Sequence, residues 1–337
     1  VSEQFLSRPI LVNWSLSYRC NFVCRHCYTR LEEGAELGTD DCLTIGNKLA
    51  DFGVIGVNFG GGEPLLRQDL FRLTRAFADR GLKVSMNSNG WLIDDAAAGA
   101  IRDAGFERVG VSLDGADAAT HDAFRCQEGS YDKAKAALAR LRERGVPVSV
   151  SIVVNRMNRG QIRQYLTQCR ADGITTIFLH NFKGIGLGKL HADELDLPPA
   201  EWKAFYREAL ALKQEFHPAL TISFDDPILA SLPGFNDNGE KPAIRGSTCG
   251  KISLHVKPDG SITPCGFIPI AIGNALTDDL EKVWFESHVL SALRNKEPKE
   301  KCKGCKDYDW CLGGCSARAL AGTGDFDMPD PHCWIGC

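Results

Sequence analysis

Positive charge is not in surplus in this sequence: 39 lysines and arginines face 43 aspartates and glutamates, for a formal charge of −4. A binder of phosphate backbones carries a basic face, so nucleic acid is set aside as a partner. Apolar runs are also short, none approaching the ~18 residues of a membrane span, and the N-terminus lacks the basic flank and apolar core of an export signal. A cytoplasmic protein is expected. No internal repeat or low-complexity segment interrupts the chain. Methionine is missing from position 1, where Val1 stands, so an unusual start codon or trimming is expected, with a short N-terminal extension lost. Apolar residues make up 44 % of the 337, enough for a large core and long for one ordinary domain. One main domain with an appendage is the expectation.

Cysteine, by contrast, is abundant, with 14 residues unevenly placed. Cys20, Cys24 and Cys27 lie near one end, seven cysteines run from Cys249 to Cys333, Cys42, Cys126 and Cys169 are scattered between, and Cys337 ends the chain. In a large chain without export signals thiols stay reduced, so metal binding is a better reading than a disulfide scaffold. Cys42 and Cys169 fall within expected helices, where buried, inert thiols are the rule.

From Pro9 to His180, short β-branched runs alternate with amphipathic helical patterns. Ile10 to Leu16, Val54 to Phe59, Lys83 to Asn87, Arg108 to Leu113, Val148 to Val154 and Ile174 to His180 read as strands. Between them lie a helix that Thr39 or Asp40 caps and Gly53 stops, and helices from Gln68 to Arg80, from Asp94, from Ser130 to Arg144, and up to Arg170. Six such units with near-continuous apolar strands predict an α/β fold. The expected form is a parallel sheet curved into a partial (β/α)6 TIM-like barrel, with function at the C-terminal strand ends. A helix from Pro199 to His217 and a strand near Leu220 to Phe224 are expected to bridge to the tail. The predicted division is a barrel over 1–190, a bridge over 191–244 and a cysteine-rich domain over 245–337.

The loop after the first strand reads CNFVCRHCY, Cys20 to Tyr28. Four cysteines complete the coordination of zinc or of an iron–sulfur cube, whereas three leave one metal position open. A zinc site closed by His26 is the alternative, but His26 adjoins Cys27, a strained place for a fourth ligand. The spacing C-x3-C-x2-C followed by the aromatic Tyr28 resembles the radical S-adenosylmethionine (SAM) superfamily. The resemblance implies that the three thiolates hold a 4Fe–4S cluster whose fourth iron is chelated by the amino and carboxylate groups of SAM. It further implies that one electron cleaves the sulfonium bond, giving a 5′-deoxyadenosyl radical that abstracts hydrogen from the substrate.

The other strand ends fit that resemblance. GGGEP, Gly60 to Pro64, follows the second strand, and Gly61, Gly62 and Glu63 are implied to meet the methionine amino group of SAM, with Glu63 accepting its hydrogen bond. Ser85 and Asn87 on the third strand, and Ser112 and Asp114 on the fourth, share a face by the period of two. Polar residues there are implied to hold the ribose and carboxylate. Asn89 and Asp114, each followed by glycine, read equally as turn formers. Arg125 in HDAFR matches an arginine near the SAM carboxylate, although Cys126 stands where the family carries glycine.

The tail has the pattern C-x10-G-x4-C, then C-x2-C-x5-C-x3-C, then a last cysteine, over Cys249, Gly260, Cys265, Cys302, Cys305, Cys311, Cys315 and Cys333. A zinc ribbon is the plain alternative. The full pattern resembles the SPASM extension of radical SAM enzymes, and implies that Cys302, Cys305, Cys311 and Cys333 enclose one auxiliary 4Fe–4S cluster. Cys249, Cys265 and Cys315 are implied to hold another, its fourth ligand left open among Cys337, His255, water and substrate. Three clusters and SAM are therefore the implied cofactors. Leu254 to Cys265 alternates and turns at Pro258, Asp259 and Gly260, a hairpin bringing Cys249 and Cys265 together.

A peptide of the ribosomal-maturase kind is the first expected substrate. A tetrapyrrole side chain in haem-type synthesis is the second. A non-catalytic electron-transfer or zinc-binding module is the third reading, and it leaves GGGEP and the polar strand ends without a purpose. Peptide maturases of the family often carry an N-terminal leader-binding domain. With 19 residues before Cys20, a separate leader-binding protein is expected, or a substrate of another kind. Arg294, Lys296, Lys299, Lys301, Lys303 and Lys306 surround Cys302 and Cys305, and this basic run is expected to dock an acidic flavodoxin- or ferredoxin-type electron donor.

Overall fold

A computed structural model describes residues 5–232, 235 and 244–335. Its centre is one ten-stranded sheet in the order β10-β9-β8-β1-β2-β3-β4-β5-β6-β7. The strands are β1 (Leu11–Ser17), β2 (Gly56–Gly61), β3 (Lys83–Ser88), β4 (Arg108–Ser112), β5 (Val148–Val154), β6 (Thr176–Asn181), β7 (Thr221–Phe224), β8 (Ser253–Val256), β9 (Ser261–Thr263) and β10 (Gly273–Asn274). From β8 through β1 to β7 every pair is parallel, and only β9 and β10 turn back antiparallel. The six expected strand–helix units are all present, and two strands extend them. The strand expected as a bridge is β7, a parallel neighbour of β6. The tail hairpin forms as expected, with Gly260 at φ +85°. In addition β8 pairs with β1, joining the tail to the barrel in one sheet.

Each strand divides its side chains between two faces. On β1, Val12, Trp14 and Leu16 are buried under the helices, where Trp14 meets Phe59 and Phe77 with ring centroids 6.2 and 5.8 Å apart. Asn13 and Ser15 take the opposite face, toward the barrel interior. The covering helices are α1 (Thr39–Phe52), α2 (Leu70–Asp79), α3 (Asp95–Ala104), α4 (Ala118–Arg125), α5 (Ser130–Glu143) and α6 (Ile162–Ala171). Asp94 caps α3 by accepting the Ala97 N–H, and Gly53 ends α1 as expected. The residue capping α1 is Gly38; Thr39 is already helical and its hydroxyl donates to Asp69 instead. The sequence reading missed α4, which Asp117 caps and Cys126 closes at φ +54°, a left-handed position usually given to glycine. Among the described residues no helix is long and apolar enough to cross a membrane.

Candidate active site

A cavity of about 440 Å3 opens at the C-terminal ends of the parallel strands. Cys20, Cys24, Cys27 and Tyr28 form part of its wall, with Gly61, Gly62, Glu63, Asn87, Ser112 and Arg125 beside them. Cys249, Cys265 and Cys315 of the tail line the same cavity. Cys302, Cys305, Cys311 and Cys333 surround a separate small cavity of about 10 Å3. The tail cysteines thus line two spaces, three on the large cavity and four on the small one. No disulfide joins two of the described cysteines. Among the described residues no three Cys, His, Asp or Glu side chains converge on a single metal ion. The thiols line spaces instead, a donor set suited to an iron–sulfur cluster, whose ligands stand farther apart than those of one zinc ion. His26 stacks on Phe124 with centroids 4.4 Å apart, and burial, then Arg125, push its pKa down to about 3.

The cysteine loop is fixed by its neighbours. Gly62 N–H donates to Ser17 O at 2.8 Å and Glu63 N–H to Arg19 O at 2.9 Å, so GGGEP lies directly against the chain entering the loop. A Cβ on Gly62 would stand 1.9 Å from Arg19 O, which no side chain allows. Asn89 ties the end of β3 to the same loop through its Nδ2, 2.8 Å from Asn21 Oδ1. Glu63 is buried, accepting from Ser88 Oγ at 2.9 Å, Asn89 N at 2.9 Å and Leu65 N at 3.2 Å. Burial raises its pKa, against the pull of these hydrogen bonds. The carboxylate expected to meet SAM is therefore first a brace between two strand ends.

Asn87 and Ser112 reach the cavity as the period of two requires, but Ser85 is not on its wall. Ser85 pairs with Arg108 one layer toward the N-terminal strand ends, where Arg108 packs 5.1 Å over the Phe178 ring. Arg125 is buried with Asp114, Nε and Nη2 each 2.6 Å from Oδ2. Burial alone would raise the Asp114 pKa, but Arg125 holds it below the usual carboxylate range. Asp114 also accepts the Val153 N–H and so orients Arg125 rather than facing the cavity. His255, a candidate fourth ligand, has both ring nitrogens engaged, with Ser15 Oγ at 2.8 Å and Thr263 Oγ1 at 3.1 Å. Cys337, the other protein candidate, lies outside the described residues. Sequence reasoning missed Asn13, Asn58, Ser151, His180, Asn181, Lys183 and Asp225 on the cavity wall. Asn13, Asn58 and Ser151 carry the same signal as Asn87, a polar side chain at an alternate position of an apolar strand.

Two members of the basic run near the second thiol cage, Arg294 and Lys296, are turned into the protein. Arg294 is buried, donating to Gly250 O and Trp284 O. Lys296 donates to Ser316 Oγ and Phe326 O, Lys299 pairs with Asp325 and Asp327, and Lys301 donates to Cys333 O. Lys303 and Lys306 are the members left exposed without such contacts among the described residues. Of the six cations, Lys301, Lys303 and Lys306 are exposed with no acidic partner among the described residues, and Lys299 is paired with Asp325 and Asp327.

Comparison with known proteins meets the geometry at this point. Residues 14–169 match the radical SAM superfamily, and residues 248–306 match an iron–sulfur cluster-binding domain, SPASM. Mycofactocin maturase MftC of Mycolicibacterium smegmatis is 30 % identical over 341 residues, covering 99 % of this chain and 85 % of that one. AdoMet-dependent heme synthase of Methanosarcina barkeri is 29 % identical over 340 residues, 96 % of each chain. The fold matches SuiB of Streptococcus suis, solved with S-adenosylmethionine, at a TM-score of 0.83 and 19 % identity, over 99 % of this chain and 79 % of that one. The chain belongs to the radical SAM superfamily. Within it, this is an enzyme of the kind that carries a C-terminal SPASM domain.

Proposed function

We propose that this enzyme modifies a peptide, with SAM held at the Cys20, Cys24 and Cys27 end of the cavity and the peptide between SAM and the Cys249, Cys265 and Cys315 end. The observation that carries the reading is one cavity walled by both sets of thiols. Cys20, Cys24 and Cys27 would hold a 4Fe–4S cluster that, once reduced by one electron, would supply the electron for splitting SAM into methionine and a 5′-deoxyadenosyl radical. The chain's own residues do the rest. Gly61 and Gly62 bring the backbone against SAM, Tyr28, Asn87 and Ser112 line its flank, and Arg125, oriented by Asp114, offers a cation for its carboxylate. A second cluster on Cys249, Cys265 and Cys315 and a third on Cys302, Cys305, Cys311 and Cys333 complete the cofactor set. An acidic one-electron carrier of the flavodoxin or ferredoxin kind meets Lys303 and Lys306.

A relative named for a peptide, a PqqA peptide cyclase of Methylocella silvestris at 27 % identity, supports the substrate class, and a maturase is among the relatives. Tetrapyrrole modification is the second reading, favoured by the matching length of the heme synthase. A purely electron-transferring module is disfavoured by the size of the cavity between the thiol sets. Anaerobically reconstituted protein, given SAM and dithionite, should form 5′-deoxyadenosine. Replacing Cys20, Cys24 and Cys27 together by Ala should abolish it while iron bound by the tail remains. Mass spectrometry should then find a mass change on a peptide when candidate peptides encoded in neighbouring genes are supplied. A mass change on iron coproporphyrin with none on the peptide would select the second reading.

A further inference from the structure

Two permanent cations line the cavity among the described residues, Arg125 and Lys183. Arg125 sits beside Cys20 and Cys24 and is matched by the buried Asp114. Lys183 lies at the other end, just past β6 and near Cys315. Its side chain is 8 % exposed, so the ammonium is almost dehydrated. One N–H is well placed, on Asn181 Oδ1 at 2.7 Å. Asp225 Oδ2 is farther, at 3.4 Å, and is shared with His180 Nδ1 at 3.1 Å. An ammonium has three donors, and this one is left with a loose second contact at a cavity wall. The Phe267 ring lies 4.9 Å from Nζ, and Tyr28 packs against Phe267 with centroids 4.4 Å apart.

We propose that Lys183 binds a carboxylate of the substrate, with Phe267 holding the apolar group next to it. A charged donor kept from water and incompletely paired is the arrangement that recognises an anion strongly. The two cations divide the anions: the carboxylate of SAM falls to Arg125 at the Cys20 end, and that of the substrate to Lys183 at the Cys315 end. Asp225 keeps Lys183 compensated while the cavity is empty of substrate. The inference rests on the reading that substrate lies between the two sets of thiols. A peptide C-terminus, an acidic side chain and a propionate share this chemistry.

The test uses reconstituted enzyme saturated with SAM and the probe 3-phenylpropionate, with its amide as the uncharged control, binding being followed by equilibrium dialysis. Wild type should prefer the acid by about tenfold or more, the worth of one charge-assisted hydrogen bond. Lys183→Arg should keep the preference and Lys183→Met should lose it at unchanged iron content. No preference for the acid in wild type overturns the proposal without any variant. A preference that survives in Lys183→Met also overturns it; if that variant's iron content or electron paramagnetic resonance signal has changed, Lys183 serves the cluster instead. The source of the carboxylate is then read with a blocked dipeptide acid, a glutamate-containing peptide amide and coproporphyrin III. A Lys183-dependent preference shown by coproporphyrin III alone keeps the anchor and overturns the peptide reading. Peptide turnover with unchanged KM in Lys183→Met does the reverse.

Discussion

Glu63 lies at the wall of the cavity with three donors already on its carboxylate. Glu63→Ala would strand Ser88 Oγ and two backbone N–H groups, each costing about 1–3 kcal/mol when left unpaired. The apoprotein should lose roughly 3 kcal/mol of stability in urea unfolding, with SAM affinity falling alongside. Weaker SAM binding at unchanged stability would make the carboxylate a ligand and not a brace. A second expectation concerns pH. Burial holds His26, His121 and His255 at about 3, about 4 and about 4. Their folded values lie below the unfolded value of about 6.5, so what they contribute is fully present above that pH and lost as pH falls toward 4. Asp114, depressed by Arg125 against its burial, adds a further loss below about pH 4. The urea midpoint of the apoprotein should be flat above neutrality and drop through this acid window; a rise on acidification would contradict the assignment of neutral buried rings. Of these residues, the cysteines and the glycine turn could be found from spacing alone. The hydrogen bonds that turn Glu63 inward could not, because Ser88 and Asn89 reach it only once β3 lies beside β2.

Between neighbouring strands, the controlling detail is a missing side chain. Gly110 on β4 pairs with Asn87 on β3, and a Cβ there would stand 2.3 Å from Asn87 Oδ1. Gly110→Ala should displace Asn87 from the cavity wall, destabilise the protein by about 1–3 kcal/mol, and weaken SAM binding as measured by calorimetry. Unchanged SAM affinity would remove Asn87 from the binding surface. The six strands of the barrel were legible because their helix-covered faces are lined with buried apolar side chains and turn signals bound each run. Helix α4 was not, since its stop is Cys126 in a left-handed conformation and no glycine announces it. Lys183, His180 and Asp225 were hidden for a different reason. They meet only where β6 and β7 are neighbours, and nothing in the spacing places the strand expected near Leu220 to Phe224 beside β6.

At the scale of the molecule, barrel and tail share more than a linker. Leu11 to Trp14 pair with Ser253 to Val256, Leu6 N–H donates to Lys251 O, and Trp284 Nε1 donates to Leu6 O. Arg294 stands 4.0 Å over Phe5, closing the same seam. A chain cut after residue 244 would leave β1 as an open, apolar edge, the geometry that pairs with other chains. Size-exclusion chromatography should show aggregate and no folded monomer; a stable monomeric barrel would mean the seam is dispensable. The pairing of β1 with β8 also sets an order in time. Strand β1 is completed on one side by β8, made far later in the chain, so a very large loop must close before the sheet is whole. Refolding of the apoprotein should show a slow final phase carried by this closure. During synthesis the N-terminal strand has to wait, half-paired, until the cysteine-rich end has left the ribosome.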